Sequence, residues 1–108
     1  MLEELNIEIR EATTRYMELT CKDRTSGENF DFTGYTVQTH LSFGKEKQYV
    51  PTVIVENVLS YKIPAEISKG TRSGVAETRI FKDGDVFEVL RVNVDVHKAD
   101  QPDTEPTS

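Results

Sequence analysis

At 108 residues the chain has the length of one domain, enough to bury roughly 65% of its unfolded surface in a single core without a metal or disulfide staple. Thirteen basic residues against 19 acidic ones leave a formal charge of −6, which argues against phosphate-driven nucleic-acid binding and against attraction to anionic membrane surfaces. Cys21 is the only cysteine, so an internal disulfide and a multi-cysteine metal site are both impossible.

The dominant period along the chain is two. Leu5, Ile7 and Ile9 alternate with Asn6, Glu8 and Arg10, and Met17, Leu19 and Cys21 alternate with Glu18, Thr20 and Lys22. Tyr35, Val37, Thr39, Leu41 and Phe43 form the next apolar phase, followed by Val53-Ile54-Val55 and then Leu59, Tyr61 and Ile63. Ala76, Thr78 and Ile80 continue the pattern, and Leu90, Val92, Val94 and Val96 close it. Each stretch predicts a strand with one face on a core and one in water. Ser26-Gly27-Glu28-Asn29 punctuates the second and third stretches, and Asp83-Gly84 predicts a type I′ hairpin turn between the last two. Pro64 to Ser68 suits a single helical turn opened by proline. No apolar run approaches the ~18 residues of a membrane-spanning helix. The acidic opening Met1 to Leu5 has no signal-peptide character.

Seven short strands with turn signals at about 8–12-residue spacing predict an all-β, immunoglobulin-like antiparallel sandwich over residues 3–97. Residues 98–108 have no large apolar side chain and several acids, and read as a flexible acidic tail. Leu19, Val37, Leu41, Tyr61, Ile63, Ile80, Val92 and Val94 hold the apolar phases and are the expected core.

Residue types that carry chemistry are present but scattered. His40 and His97 fall on polar phases, where a metal site would need them to meet with a third ligand. Cys21 lies on an apolar phase with no histidine nearby in sequence, so it reads as an inert core thiol rather than a nucleophile. Asp83 and Asp85 are accounted for by turn chemistry. No calcium loop or glycine-rich phosphate loop occurs. The expectation is a chain with no cofactor, no metal and no small-molecule substrate.

One ordered set of strings goes beyond periodicity. Phe30-Asp31-Phe32-Thr33-Gly34-Tyr35-Thr36-Val37 is followed by Leu59-Ser60-Tyr61-Lys62-Ile63-Pro64-Ala65-Glu66. Then come Gly74-Val75-Ala76-Glu77-Thr78-Arg79-Ile80 and Lys82-Asp83-Gly84. In order and spacing, over about residues 5–96, this resembles the N-terminal domain of the phage baseplate upper protein family of tailed phages of Gram-positive hosts. Gly74-Val75 stands where that family often has a tyrosine before its Ala-Glu. The residues that carry the likeness are structural: Asp31, Thr33 and Gly34 form one turn, Asp83 and Gly84 another. The resemblance implies an immunoglobulin-like sandwich without enzymatic activity. It would work in a virion tail or baseplate, assembling with other phage structural proteins or with itself, after synthesis in the host cytoplasm. The alternative is a stand-alone adhesion or carbohydrate-binding module, for which Phe81, Tyr49 and Phe87 are the candidate exposed aromatics.

Open sheet edges are the natural contact sites of such a domain. Gly44-Lys45-Glu46-Lys47-Gln48 is charged enough to protect its flank, whereas Val86-Phe87-Glu88-Val89-Leu90 is apolar. Strict alternation turns Phe87 and Val89 outward, with Phe81 across the hairpin, as a candidate interface patch. A bulge that returns Phe87 toward the core is the competing expectation.

Overall fold

The computed structural model describes residues 2–98, with side chains from Leu5 onward. In chain order the strands are β1 (Leu2–Arg10), β2 (Arg15–Thr20), β3 (Tyr35–Phe43), β4 (Glu46–Val50), β5 (Val53–Val55) and β6 (Val58–Ile63). A 3-10 turn (Ala65–Ser68) follows, then β7 (Ser73–Lys82) and β8 (Asp85–His97). They form a five-stranded sheet, β1-β8-β7-β3-β4, and a three-stranded sheet, β2-β6-β5. The chain changes sheet between β1 and β2, β2 and β3, β4 and β5, and β6 and β7, and the two sheets pack as an all-β sandwich. The predicted tail at 98–108 lies outside the described residues, apart from the exposed Lys98.

Two features depart from the sequence reading. The described residues form eight strands: Glu46–Val50, which overlaps the stretch Gly44–Gln48 read as a charged flank, forms β4 and hairpins onto β3 across Gly44 and Lys45. Four of its five residues are exposed, so it has no apolar phase to betray it; the ladder to β3 makes it a strand. The second departure is that β1 runs parallel to β8, from Leu2↔Val89 to Arg10↔His97. An antiparallel pairing cannot be told from a parallel one by a period of two.

The larger core cluster joins the sheets through Ile9, Met17, Leu41, Phe43, Tyr61, Ile63, Ile67, Ala76, Val92, Val94 and Val96. A smaller cluster of Phe32, Leu59 and Ile80 sits at the other end, wrapped by side chains that are only half-buried. Leu19 and Val37 belong to that wrapping, so these two expected core residues are half-buried; the other six are buried.

Turn chemistry follows the sequence. The Thr33 backbone N–H and hydroxyl both donate to Asp31 Oδ1, at 3.0 and 2.7 Å, and Gly34 takes φ 84° before the chain enters β3. The Thr33 hydroxyl and then its N–H hold the Asp31 carboxyl below the usual carboxylate range. Asp83 and Gly84 have φ 53° and 84°, the two positive values a type I′ turn requires. Pro64 precedes the 3-10 turn at φ −65°.

A buried polar device crosses β3 and β7. Thr39 and Thr78, both fully buried, face each other with hydroxyls 2.8 Å apart, and Thr39 also meets Thr52 at 2.6 Å. Thr39 is the shared partner, so Thr39→Val strands two hydroxyls and should cost about 1–3 kcal/mol. Thr78→Val leaves the Thr39–Thr52 bond intact and should cost less. Urea titration of the two variants checks the order; equal losses would show that the hydroxyl chain does not act as a unit.

Candidate functional site

An open groove between the sheets

Among the described residues β1 pairs only with β8 and β2 only with β6, so the side between β1 and β2 stays open among them. A cleft of about 770 Å³ enters there. Its apolar wall includes Leu5, Leu19, Cys21, Phe30, Phe32, Phe87 and Leu90, while Glu18, Lys22, Arg24, Glu88 and Arg91 stand among its polar residues. The volume falls in the range of specific ligand and docking sites.

The backbone of β2 is aimed along this opening. The Cys21 N–H donates to the Asn57 carbonyl at 2.8 Å, toward β6. Strand amides alternate sides, so the N–H groups of Tyr16, Glu18 and Thr20 point away from β6, along the rim of the groove. At one mouth, Asp23 organises the loop: its Oδ1 accepts from the backbone N–H groups of Thr25 and Ser26 at 2.9 and 3.0 Å. The Ser26 and Thr25 bonds keep its carboxyl below the usual range, so this acid is committed to the turn.

The end wall is aromatic. Phe30 meets Phe32, Tyr35 and Phe87 with ring centroids 4.8, 5.1 and 5.9 Å apart, and Tyr35 meets Phe87 at 5.1 Å. Lys82 Nζ lies 5.2 Å from the Tyr35 ring centre. The three edge-on pairs, Phe30–Phe32, Phe30–Tyr35 and Tyr35–Phe87, each contribute about 0.5–1.5 kcal/mol beyond area burial.

The candidate patch Phe81, Phe87 and Val89 is therefore not one surface. The β7–β8 register shifts between Ile80 and Phe81, whose partners are Glu88 and Val86, leaving Phe87 as the extra residue of a bulge. The bulge turns Phe87 toward Phe30 and Tyr35, still 47% exposed. Phe81 and Val89 remain on the outer face of the five-stranded sheet, half-buried. A bulge costs one residue of phase, and alternation alone cannot locate it.

The remaining candidates also have defined places. Cys21 is half-buried and lines the groove rather than the closed core; burial raises its thiol pKa, which disfavours the reactive thiolate. His40 lies against Tyr49 across β3 and β4, ring centroids 4.8 Å apart and planes tilted by 59°, while His97 sits 3.5 Å from Glu8 at the end of β8, so the two histidines do not meet. Among the described residues no three His, Cys, Asp or Glu side chains gather as a metal-holding group, and no helix is long and apolar enough to cross a membrane. Tyr16, 74% exposed, was not among the aromatic candidates; it lies on the polar phase of β2, beside Lys62. Tyr16, Tyr49 and Phe87 thus occupy three separate surfaces and build no common sugar platform.

Tyr61 gives the core a pH dependence. It is buried, and among the described residues its hydroxyl has no hydrogen-bond partner. Burial pushes the phenol from 10.0 up to about 12. The unfolded chain releases this proton near pH 10 and the folded one near 12, so stability present below pH 10 is lost as pH rises through that window. Over those two units the loss is on the order of 2–3 kcal/mol. Tyr61→Phe should remove this alkaline slope and leave neutral stability equal or higher, because no hydroxyl is buried unpaired. Denaturant midpoints at pH 7 and 11 check it; an unchanged slope would refute it.

No protein-family model matches the chain, and no curated protein matches it.

Proposed function

We propose that the chain is a non-enzymatic structural module of a bacteriophage virion, a tail or baseplate component that acts by protein–protein assembly. The ordered motifs from Phe30 to Gly84 support the virion setting by their resemblance to the baseplate upper protein family. The observation that carries the assembly reading is the open β2 edge beside an apolar groove. An extended segment of a neighbouring tail protein fits this place: its backbone adds a strand to β2, and its alternate apolar side chains enter the groove against Leu19, Phe87 and Leu90. The backbone bonds supply affinity and the groove supplies selectivity.

A peptide inventory of purified particles from a phage that encodes the chain tests the setting; absence from the particle overturns it. The contact is tested by Thr20→Pro, which removes an N–H that points away from β6. The expected result is a melting temperature within a few degrees of the parent and loss of docking in reconstitution with tail proteins. Normal docking by this variant would move the contact to another edge.

A further inference from the structure

We propose that β1 is an exchangeable strand, which leaves its own β8 and pairs in the same register with the β8 of a second copy. The inference goes beyond the assembly reading and needs no virion partner. Its basis is the link between β1 and β2. Only residues 11–14 carry the chain from the five-stranded sheet to the three-stranded one. To make that crossing Ala12 sits at φ 59°, the left-handed region that disfavours a residue with a Cβ.

Local bonds hold the link closed. The Ala12 N–H donates to Ser68 Oγ at 2.9 Å, the Gly70 N–H donates to Glu11 Oε2 at 3.2 Å, and the Glu11 N–H donates to the His97 carbonyl at 2.8 Å. Ser68 is fully buried and also donates to the Ala65 carbonyl at 3.1 Å, so the clamp is part of the core. Against it stands the strain at Ala12, which an extended link releases. Burial along β1 is uneven: Ile9 is 6% exposed and Leu5, beside the groove, 46%. Fraying therefore starts at the Leu5 end.

Exchange re-forms every β1–β8 pair between copies, so the ladder itself favours neither state. The balance is set by concentration and by two opposed local terms, relief at Ala12 and loss of the Ser68 clamp. Removing the first term should suppress exchange, and removing the second should promote it. Non-specific dimerisation through another surface would respond to neither.

Asn6 and Asn93 are register partners in the β1–β8 ladder, with side chains bonded at 3.1 Å, so Asn6→Cys with Asn93→Cys places two thiols within disulfide reach. With Cys21→Ser removing the native thiol, a closed chain oxidises to an intrachain bridge and an exchanged pair to a covalent dimer. The expected result is a dimer band on a non-reducing gel that grows with protein concentration. Ala12→Gly should lower its fraction on the order of tenfold, and Ser68→Ala should raise it. Native mass spectrometry of the otherwise unaltered chain, with and without Ala12→Gly, repeats the comparison should the cysteine variant fail to fold. Intrachain bridges alone at every concentration, or a dimer fraction indifferent to both Ala12 and Ser68, overturns the proposal.

Discussion

Gly74→Ala should destabilise the protein by on the order of 1–3 kcal/mol, although it adds a single methyl group. Gly74 is buried in β7, directly across from Phe43 in β3. A Cβ built there would lie well under 3.0 Å from three carbons of the Phe43 ring. Phe43 is fully buried within the larger core cluster, so its ring has no solvent side to move into, and the strain must spread through β3 and β7. For a domain of this size the melting point should fall by about 4–8 °C per kcal/mol. The same exchange on an open loop glycine would report only backbone preference; here the positional cause is separable. Phe43→Leu in the Gly74→Ala background should recover part of the loss, because the smaller side chain makes room. A double-mutant cycle measures that coupling. An additive cycle, or a Gly74→Ala protein as stable as its parent, would show that the two residues do not share this space.

Leu41→Ala should cost about 2–5 kcal/mol. Leu41 is fully buried and faces Ala76 across the β3–β7 ladder. Its small neighbour cannot expand into the vacated volume, so the cavity term adds to the lost transfer energy. Leu5, 46% exposed at the groove, provides the contrast. Leu5→Ala removes an equivalent side chain from a site water already reaches and should cost about 1 kcal/mol or less by the area it hides. Urea unfolding of both variants tests the difference. Equal costs would mean that the groove end is packed as tightly as the larger cluster, and the groove reading would fall with it.

Several parts of this architecture were legible from residue order. The strands were recognisable wherever one phase was apolar, because a half-buried strand must alternate. Asp31-Phe32-Thr33-Gly34 and Asp83-Gly84 announced their turns through side chains that bond locally and through residues that tolerate positive φ. The phase of Cys21 suggested an inert core thiol, but the side chain is half-buried at the groove instead, where burial raises its thiol pKa.

The candidate site was not legible in the same way, and the reason is common to each part of it. The bulge at Phe87 shifts a phase by one residue, which is set by how β8 meets β7 rather than by either sequence alone. β4 is a strand because β3 lies beside it, with four exposed residues out of five. The groove exists because β1 chose β8 and left the β2 edge open, and Gly74 matters because the Phe43 ring crosses it. Alternation, turn chemistry and composition are local, and the sequence by itself determined what is local: the all-β class, the strand faces and the turns. Which strands pair, in what direction and with which edge left open depends on the competition of whole ladders for partners. That competition is resolved only when the two sheets close on one core, and it is what places the groove, the aromatic wall and the strained link on this protein.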